Sequence, residues 1–494
     1  MGLTIAIIIL IFLYLPIFHT NYAYLDEIHQ LWNNQDNSNY NMFFVQGRWL
    51  SGIFFNAIFA RINNISDLKI TRIISFFSWF LFLVEFFRMG KKWQHLIGFE
   101  PILLNLSGIY IACSISVAIY LGWAACFEVG LATLLGLWSG HIFFEQFMLH
   151  KNLNNISKLT VSLGIITGVC CLLMYQISFG TFFIPFALYL IHKKTSADFK
   201  ILFLGFSAYF VTTIIYYFLF LLSLKIAAVP ASPRTSFSFD IVGKLGFFFG
   251  YPLSQAFSFN FLYNVHTILS QTFPLVMMVG WGVLFWKKDK NTFGKKIGFL
   301  LSFIGLCMLI YLPLIVSKEN FSSYRTMFAL NFVATFALLE TAIRLLQTNK
   351  NKNIFALLLS CCFVIIAYRN FRFNFIIPLT KEYISITSFF NKNYNSAADT
   401  AYILRPPENV FFTLYGVTSF NDEFGIASTF KDWTPEPLIK QLIFEKTNNR
   451  KLAERVNIVQ FTEKSKFQEA IKNNKGYVLS FDISNILKTE YSGQ

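Results

Sequence analysis

Leu3-Thr-Ile-Ala-Ile-Ile-Ile-Leu-Ile-Phe-Leu-Tyr-Leu-Pro-Ile-Phe18 is followed, four residues on, by Tyr22-Ala-Tyr-Leu-Asp26-Glu27-Ile-His29-Gln-Leu-Trp32. The first run approaches the length needed to cross a bilayer, about 20 residues. It lacks a basic leader and a small-x-small cleavage site, so it reads as an uncleaved first helix rather than a signal peptide. The second stretch sets two adjacent carboxylates at the edge of that helix, where charge is costly and is usually used.

The rest of the chain repeats the apolar theme. Of 494 residues, 55% are hydrophobic and only 14% charged, with a mean hydropathy of +0.51. These values exclude a soluble globular protein and predict an α-helical polytopic membrane protein. Apolar runs at about 3–18, 70–87, 100–121, 123–149, 159–175, 177–191, 200–223, 264–286, 297–316, 326–344 and 353–368 predict about 11 transmembrane helices. The helical spacing of Leu50, Ile53, Phe54, Ala57 and Ile58 predicts an interfacial helix over 46–62.

A net charge of +15 would suit nucleic acid, but the basic residues fall in short clusters at 88–92, 151–158, 193–200, 287–296 and 344–352. Clusters between apolar runs are orientation signals, so no nucleic-acid partner is expected, and the lipid bilayer is the surrounding medium. With all five clusters cytoplasmic, the spans alternate without a misfit. The N-terminus is then cytoplasmic, and the loops 19–68, 224–260 and 317–325 share the opposite, periplasmic side.

Beyond about residue 370 the composition turns polar. Runs at Thr400–Leu404, Val456–Phe461 and Gly476–Phe481 read as strands, alternating with helical patterns near 381–393, 436–447 and 464–473. The expected organisation is a transmembrane domain over 1–370 and a small soluble α/β domain over 371–494. All seven cysteines lie in apolar runs without metal-ligand spacing and read as small buried hydrophobes.

For chemistry, Asp26 and Glu27 are the candidate catalytic acids. One carboxylate suffices where an acceptor hydroxyl must lose its proton while its oxygen attacks a sugar carbon, because a phosphate leaving group needs no general acid. Arg48, Arg234 and Arg325, with Lys225 behind them, are candidate phosphate ligands that take up the developing negative charge. His29, Trp49 and Tyr324 are candidate lining residues. Each has a plainer reading: a solvated loop for the acids and His29, a snorkelling anchor for Arg325, the polar edge of a helix for Arg48, and solvated surface for Arg234. Glu128, in mid-span, reads as paired with another helix or lining a cavity, and Asn421-Asp422-Glu423-Phe424-Gly425 reads as a turn. No phosphate-binding glycine loop, zinc-protease helix or dinucleotide fingerprint is present in the sequence.

Tyr24-Leu-Asp26-Glu27 after the first span, Gln46-Gly47-Arg48-Trp49-Leu50 before the second, and Tyr324-Arg325 opening a late span together resemble the bacterial O-antigen glucosyltransferase-like family of GT-C membrane glycosyltransferases. The resemblance covers roughly residues 1–350. It departs from the family in having Asp26-Glu27 where Asp-Asp is frequent, and His29 where a stronger base would follow. It implies a polyprenyl-phosphate-linked sugar donor, a lipid-linked or cell-surface glycan acceptor, inversion at the anomeric carbon, and a bacterial inner-membrane location with a periplasmic C-terminal domain. The expected enzyme needs no organic cofactor, and the residues near Asp26 favour a metal-free site, although the GT-C class includes metal-dependent members. The alternatives are a lipid-linked-sugar flippase, which would line several spans with polar groups, and a non-catalytic assembly protein.

Overall fold

The computed structural model describes residues 1–34, 38–150, 156–261, 268–288, 291–419, 423–474 and 476–491. Lys151, Asp289 and Lys290, within the basic clusters 151–158 and 287–296, and Asn421 and Asp422 lie outside them. Among the described residues, eight helices are long and apolar enough to cross a membrane, and the protein is a helical membrane protein.

The expected first and fifth spans are apolar but shorter, at Gly2–Phe18 and Lys158–Met174. The expected sixth is broken into a tight 3-10 segment, Gln176–Phe183, and an α-helix, Ile184–Lys193. Tyr175, in extended conformation, ends the Lys158–Met174 helix and turns Gln176 back toward Gln46. The predicted interfacial helix is Trp49–Phe59, with Ser51, Gly52, Phe55 and Phe59 buried.

Burial sorts the spans. Over the most apolar 18 residues of each helix, 89% are buried in Pro101–Gly122, at the centre of the bundle, against 22% in Phe199–Ala227 and in the long Asn349–Asn393 helix, which present apolar surface outward. Exposed side chains such as Phe203, Phe218, Leu222 and Ile365 suit lipid, where apolar surface carries no cost.

The two ends of the bundle differ in chemistry. At one end the basic clusters are tied together by Lys92–Glu145 (3.1 Å), Lys352–Glu100 (2.6 Å) and the Arg344–Glu340–His192 group. Asn291 also donates to Thr195 there. At the other end lie Asp26, Glu27, Arg48 and the loop carrying Arg325.

The C-terminal domain contains a parallel sheet of β1 (Thr400–Leu404), β2 (Asn457–Phe461) and β3 (Val478–Asp482) in the order β2-β1-β3. Thr400 pairs with Asn457 on one side and Val478 on the other. Helices Pro435–Thr447 and Arg450–Arg455 connect β1 to β2, and Lys464–Asn473 connects β2 to β3, as parallel crossovers require. The transition at 370 is not a linker: Asn349–Tyr368 passes through a π-helical stretch, Arg369–Ile376, into Ile377–Asn393 without a break. The domain is seated on the Asp26 end by Arg450 to the Trp32 carbonyl (2.6 Å), Ser428 to the Ala23 carbonyl (3.1 Å) and Gln441 to the Asn63 carbonyl (2.7 Å).

Candidate functional site

The two adjacent acids have opposite surroundings. The helix Asp26–Trp32 begins at Asp26, directly after Leu25, whose φ of +44° lies where a branched side chain is strained. Successive helical residues point about 100° apart, so one acid turns inward and the other does not. Glu27 is fully buried and pairs at 2.5 Å with the equally buried Arg72. Its carboxylate also accepts the N–H groups of Tyr24 (2.9 Å) and Ala124. Arg72 in turn donates to the carbonyls of Tyr22 and Gly122, both at 3.0 Å, and lies 3.8 Å over the Tyr22 ring. Burial pushes the Glu27 carboxyl up to about 7, against the pull of Arg72 and the two amides. Every oxygen of Glu27 is committed, so its place is structural: it pins the turn that presents Asp26. Asp26 itself is half-buried, and its carboxylate makes no hydrogen bond or ion pair among the described residues.

Burial works against the charge of Arg325; Glu423 is the largest support for that charge, and Asp26 is a lesser one. Its guanidinium sits 4.6 Å over the Trp123 ring and 5.1 Å from that of Phe321, a sandwich that suits the weakly hydrated arginine cation. Glu423, from the C-terminal domain, approaches its Nε at 3.6 Å. Burial raises the Glu423 carboxyl, with Arg325 opposing.

Arg48 is held from the other side. Its Nε donates to the Gln176 side-chain oxygen at 2.8 Å, and its guanidinium lies 4.8 Å over the Tyr175 ring. Gln176 donates in turn to the Gln46 carbonyl (2.9 Å) and the Tyr216 hydroxyl (2.8 Å). Gly47 is required at this turn: its φ is +75°, and an added Cβ would lie 2.4 Å from the Tyr216 hydroxyl. The charges of both arginines act on Tyr175, that of Arg48, which lies over the ring, more than that of Arg325. Around them the indole N–H of Trp123 and one oxygen of Glu128 are buried without a partner among the described residues, and buried polar atoms of this kind need an explanation such as a bound group.

The remaining predicted residues stand apart from this cluster. Arg234 pairs with Glu319 at 3.5 Å, with side chains 71% and 53% exposed, and Lys225 is exposed near the end of the Phe199–Ala227 helix. Neither makes a hydrogen bond or ion pair with Asp26, Arg48 or Arg325. Their loop is polar because it is solvated. His29 is exposed on the outer face of the Asp26–Trp32 helix, Trp49 is half-buried, and Tyr324 is buried with its hydroxyl on the Phe261 carbonyl (3.2 Å). Among the described residues, no three His, Cys, Asp or Glu side chains gather as a metal site requires.

Sequence reasoning passed over Arg72 and Tyr175 and read Glu423 as a turn residue. Arg72 did carry a signal, a guanidinium three residues inside the Lys69–Ile97 helix, where it needs a partner. Fold and site together define a polytopic helical membrane protein whose C-terminal domain is seated on the end of the bundle that carries Asp26, Arg48 and Arg325. No protein-family model, curated protein or solved structure matches the chain.

Proposed function

We propose that the chain is a GT-C-type membrane glycosyltransferase that moves a sugar from a polyprenyl-phosphate donor to a lipid-linked or cell-surface glycan. The observation that carries this reading is the contrast within one dipeptide: Glu27 is buried against Arg72, while the Asp26 carboxylate has no partner among the described residues and lies at the end of the bundle that carries Arg325 and Arg48. A carboxylate and fixed arginines at one end of the bundle suit a reaction that takes up a proton at one point and releases a phosphate at another.

In this reading the acceptor hydroxyl gives its proton to Asp26 as its oxygen attacks the anomeric carbon. The bond from that carbon to the phosphate oxygen breaks on the opposite face, the configuration inverts, and polyprenyl phosphate leaves with the electron pair. Arg325 and Arg48 receive the phosphate charge, each already oriented by an aromatic ring, so little reorganisation accompanies the step. Asp26 then returns its proton to solvent. The exposed Arg234 and Lys225 have no part in it. By the excess of Lys and Arg at the other end of the bundle, the site faces the periplasm of a bacterial inner membrane and the N-terminus faces the cytoplasm.

Incubating the purified protein with a polyprenyl-phosphate sugar and an acceptor glycan, and following release of polyprenyl phosphate, tests this. Asp26→Asn should keep the fold and lose activity by about 10²–10⁴-fold. A variant that transfers at the wild-type rate removes Asp26 as base. A wild-type protein that releases no polyprenyl phosphate removes the transferase reading and leaves the transporter.

A further inference from the structure

The turn that carries Arg325 is held from two domains. From the membrane bundle, the Ser116 hydroxyl donates to the Tyr324 carbonyl at 2.6 Å, and the Tyr120 hydroxyl donates to the Arg325 carbonyl. From the C-terminal domain, the two oxygens of Glu423 accept the N–H of Tyr324 (2.7 Å) and the N–H of Arg325 (3.0 Å). All four main-chain polar groups of this dipeptide are therefore fixed. Glu423 is completely buried, and a buried carboxylate is tolerated only when its oxygens are used in this way.

The loop bearing Glu423 is itself anchored. Asn374, in the π-helical stretch, accepts the Thr418 N–H on its side chain (3.3 Å) and the Gly425 N–H on its carbonyl (3.2 Å). Gly425 has a φ of +68°, and a Cβ there would come within 2.4 Å of the Thr418 carbonyl oxygen. Such π stretches recur at functional positions because the wider turn re-aims the side chains on either side of it.

The charge contact matters for direction. Glu423 meets the guanidinium at Nε, while the two terminal nitrogens make no hydrogen bond among the described residues. Those two nitrogens form the fork that binds a phosphate end-on. A carboxylate at Nε thus leaves the two terminal nitrogens unengaged by Glu423, and the Trp123 and Phe321 rings lie against the guanidinium.

We propose that Glu423 is a positioning residue for the donor phosphate: it sets the Tyr324–Arg325 main chain and the direction of the Arg325 fork, so the phosphate site is complete only with the C-terminal domain docked. This rests on the reading of Arg325 as a phosphate ligand. It gives the domain a part in donor binding.

The test is a double-substitution cycle on the full-length protein in detergent, with polyprenyl phosphate and, separately, inorganic phosphate as probes, read by quenching of tryptophan fluorescence. Glu423→Gln should weaken polyprenyl phosphate binding about tenfold or more, and Arg325→Ala at least as much. In the Arg325→Ala background, Glu423→Gln should add less than about twofold, because its effect passes through the arginine. Unchanged affinity in Glu423→Gln, or a loss that adds in full to that of Arg325→Ala, overturns the proposal. Should Glu423→Gln fail to fold, Glu423→Asp decides: its shorter carboxylate cannot reach both amides, so weakened binding supports the proposal and wild-type binding overturns it. Binding of inorganic phosphate with the same cycle, but none of polyprenyl phosphate, overturns the lipid donor and leaves the role of Glu423 standing. Binding of neither overturns both.

Discussion

Replacing Arg72 by methionine keeps an unbranched apolar stem in the Lys69–Ile97 helix but strips the guanidinium from its place against Tyr22. The change removes a 2.5 Å ion pair to Glu27 and two 3.0 Å hydrogen bonds to main-chain carbonyls. Because both partners are fully buried, Glu27 keeps its two amide donors but loses its counter-charge where water cannot reach it. Breaking a buried pair from one side costs about 3–5 kcal/mol, against about 0–1 kcal/mol for an exposed pair. In the Arg72→Met/Glu27→Gln protein no charge is stranded, and about 2 kcal/mol or more of that loss should return. The sign with pH is set by the same site. In the wild type the Glu27 carboxyl stands at about 7, above its ordinary 4.5, so the native state takes up a proton first and stability declines as pH rises through that interval. Without Arg72 the carboxyl rises further, so the deficit of Arg72→Met is greatest above about pH 7 and narrows as the solution is acidified. Thermal unfolding in detergent at two pH values on either side of 7 measures this. A deficit under about 1 kcal/mol, or one of equal size with Gln at 27, would refute the account of Glu27 as a buried anion held by Arg72.

Gly47→Ala should cost about 1–3 kcal/mol through its positive φ and the contact with the Tyr216 hydroxyl, and Tyr216→Phe in the same chain should return part of it; thermal unfolding gives both values. Arg234→Ala should alter stability by less than about 0.5 kcal/mol and donor KM by less than about twofold, since its pair with Glu319 is exposed. A tenfold rise in KM would restore Arg234 to the phosphate site. Arg450→Ala removes the hydrogen bond to the Trp32 carbonyl and the 4.1 Å stacking on the Trp32 ring. Limited proteolysis should then cut the C-terminal domain faster, at a docking loss of about 1–2 kcal/mol.

The spans were legible because lipid demands long apolar runs, and the strands at Thr400–Leu404 and near 457–461 and 478–482 were legible because β-branched and aromatic residues cluster between polar breaks. The breaks within the shorter apolar segments were not legible for a physical reason: hydropathy cannot see that Tyr175 is extended and that the chain tightens over Gln176–Phe183. At the site, the sequence brought out Asp26, Arg48 and Arg325, each a polar group at an apolar edge. It could not separate Asp26 from Glu27, because the difference lies in Arg72, 45 residues away in sequence. Arg234 and Lys225 satisfied the same compositional rule as Arg325 and differ from it only in exposure. Glu423 was hidden because a carboxylate in a polar domain is unremarkable until the main chain it binds, 98 and 99 residues earlier, is known.

The unbroken helix from Asn349 to Asn393 bears on how the chain can be divided. At 45 residues it is about 68 Å long, a single rod rooted among the basic clusters and ending beside the sheet. Severing the chain near residue 370, where composition suggests a seam, would cut this rod inside its π stretch and leave Asn374 without the membrane-side half that supports it. The two parts are therefore not interchangeable modules. A chimera that exchanges the C-terminal domain with that of another protein must carry the whole rod with it, and a tag inserted at 370 should uncouple the halves, whose buried side chains form one continuous core.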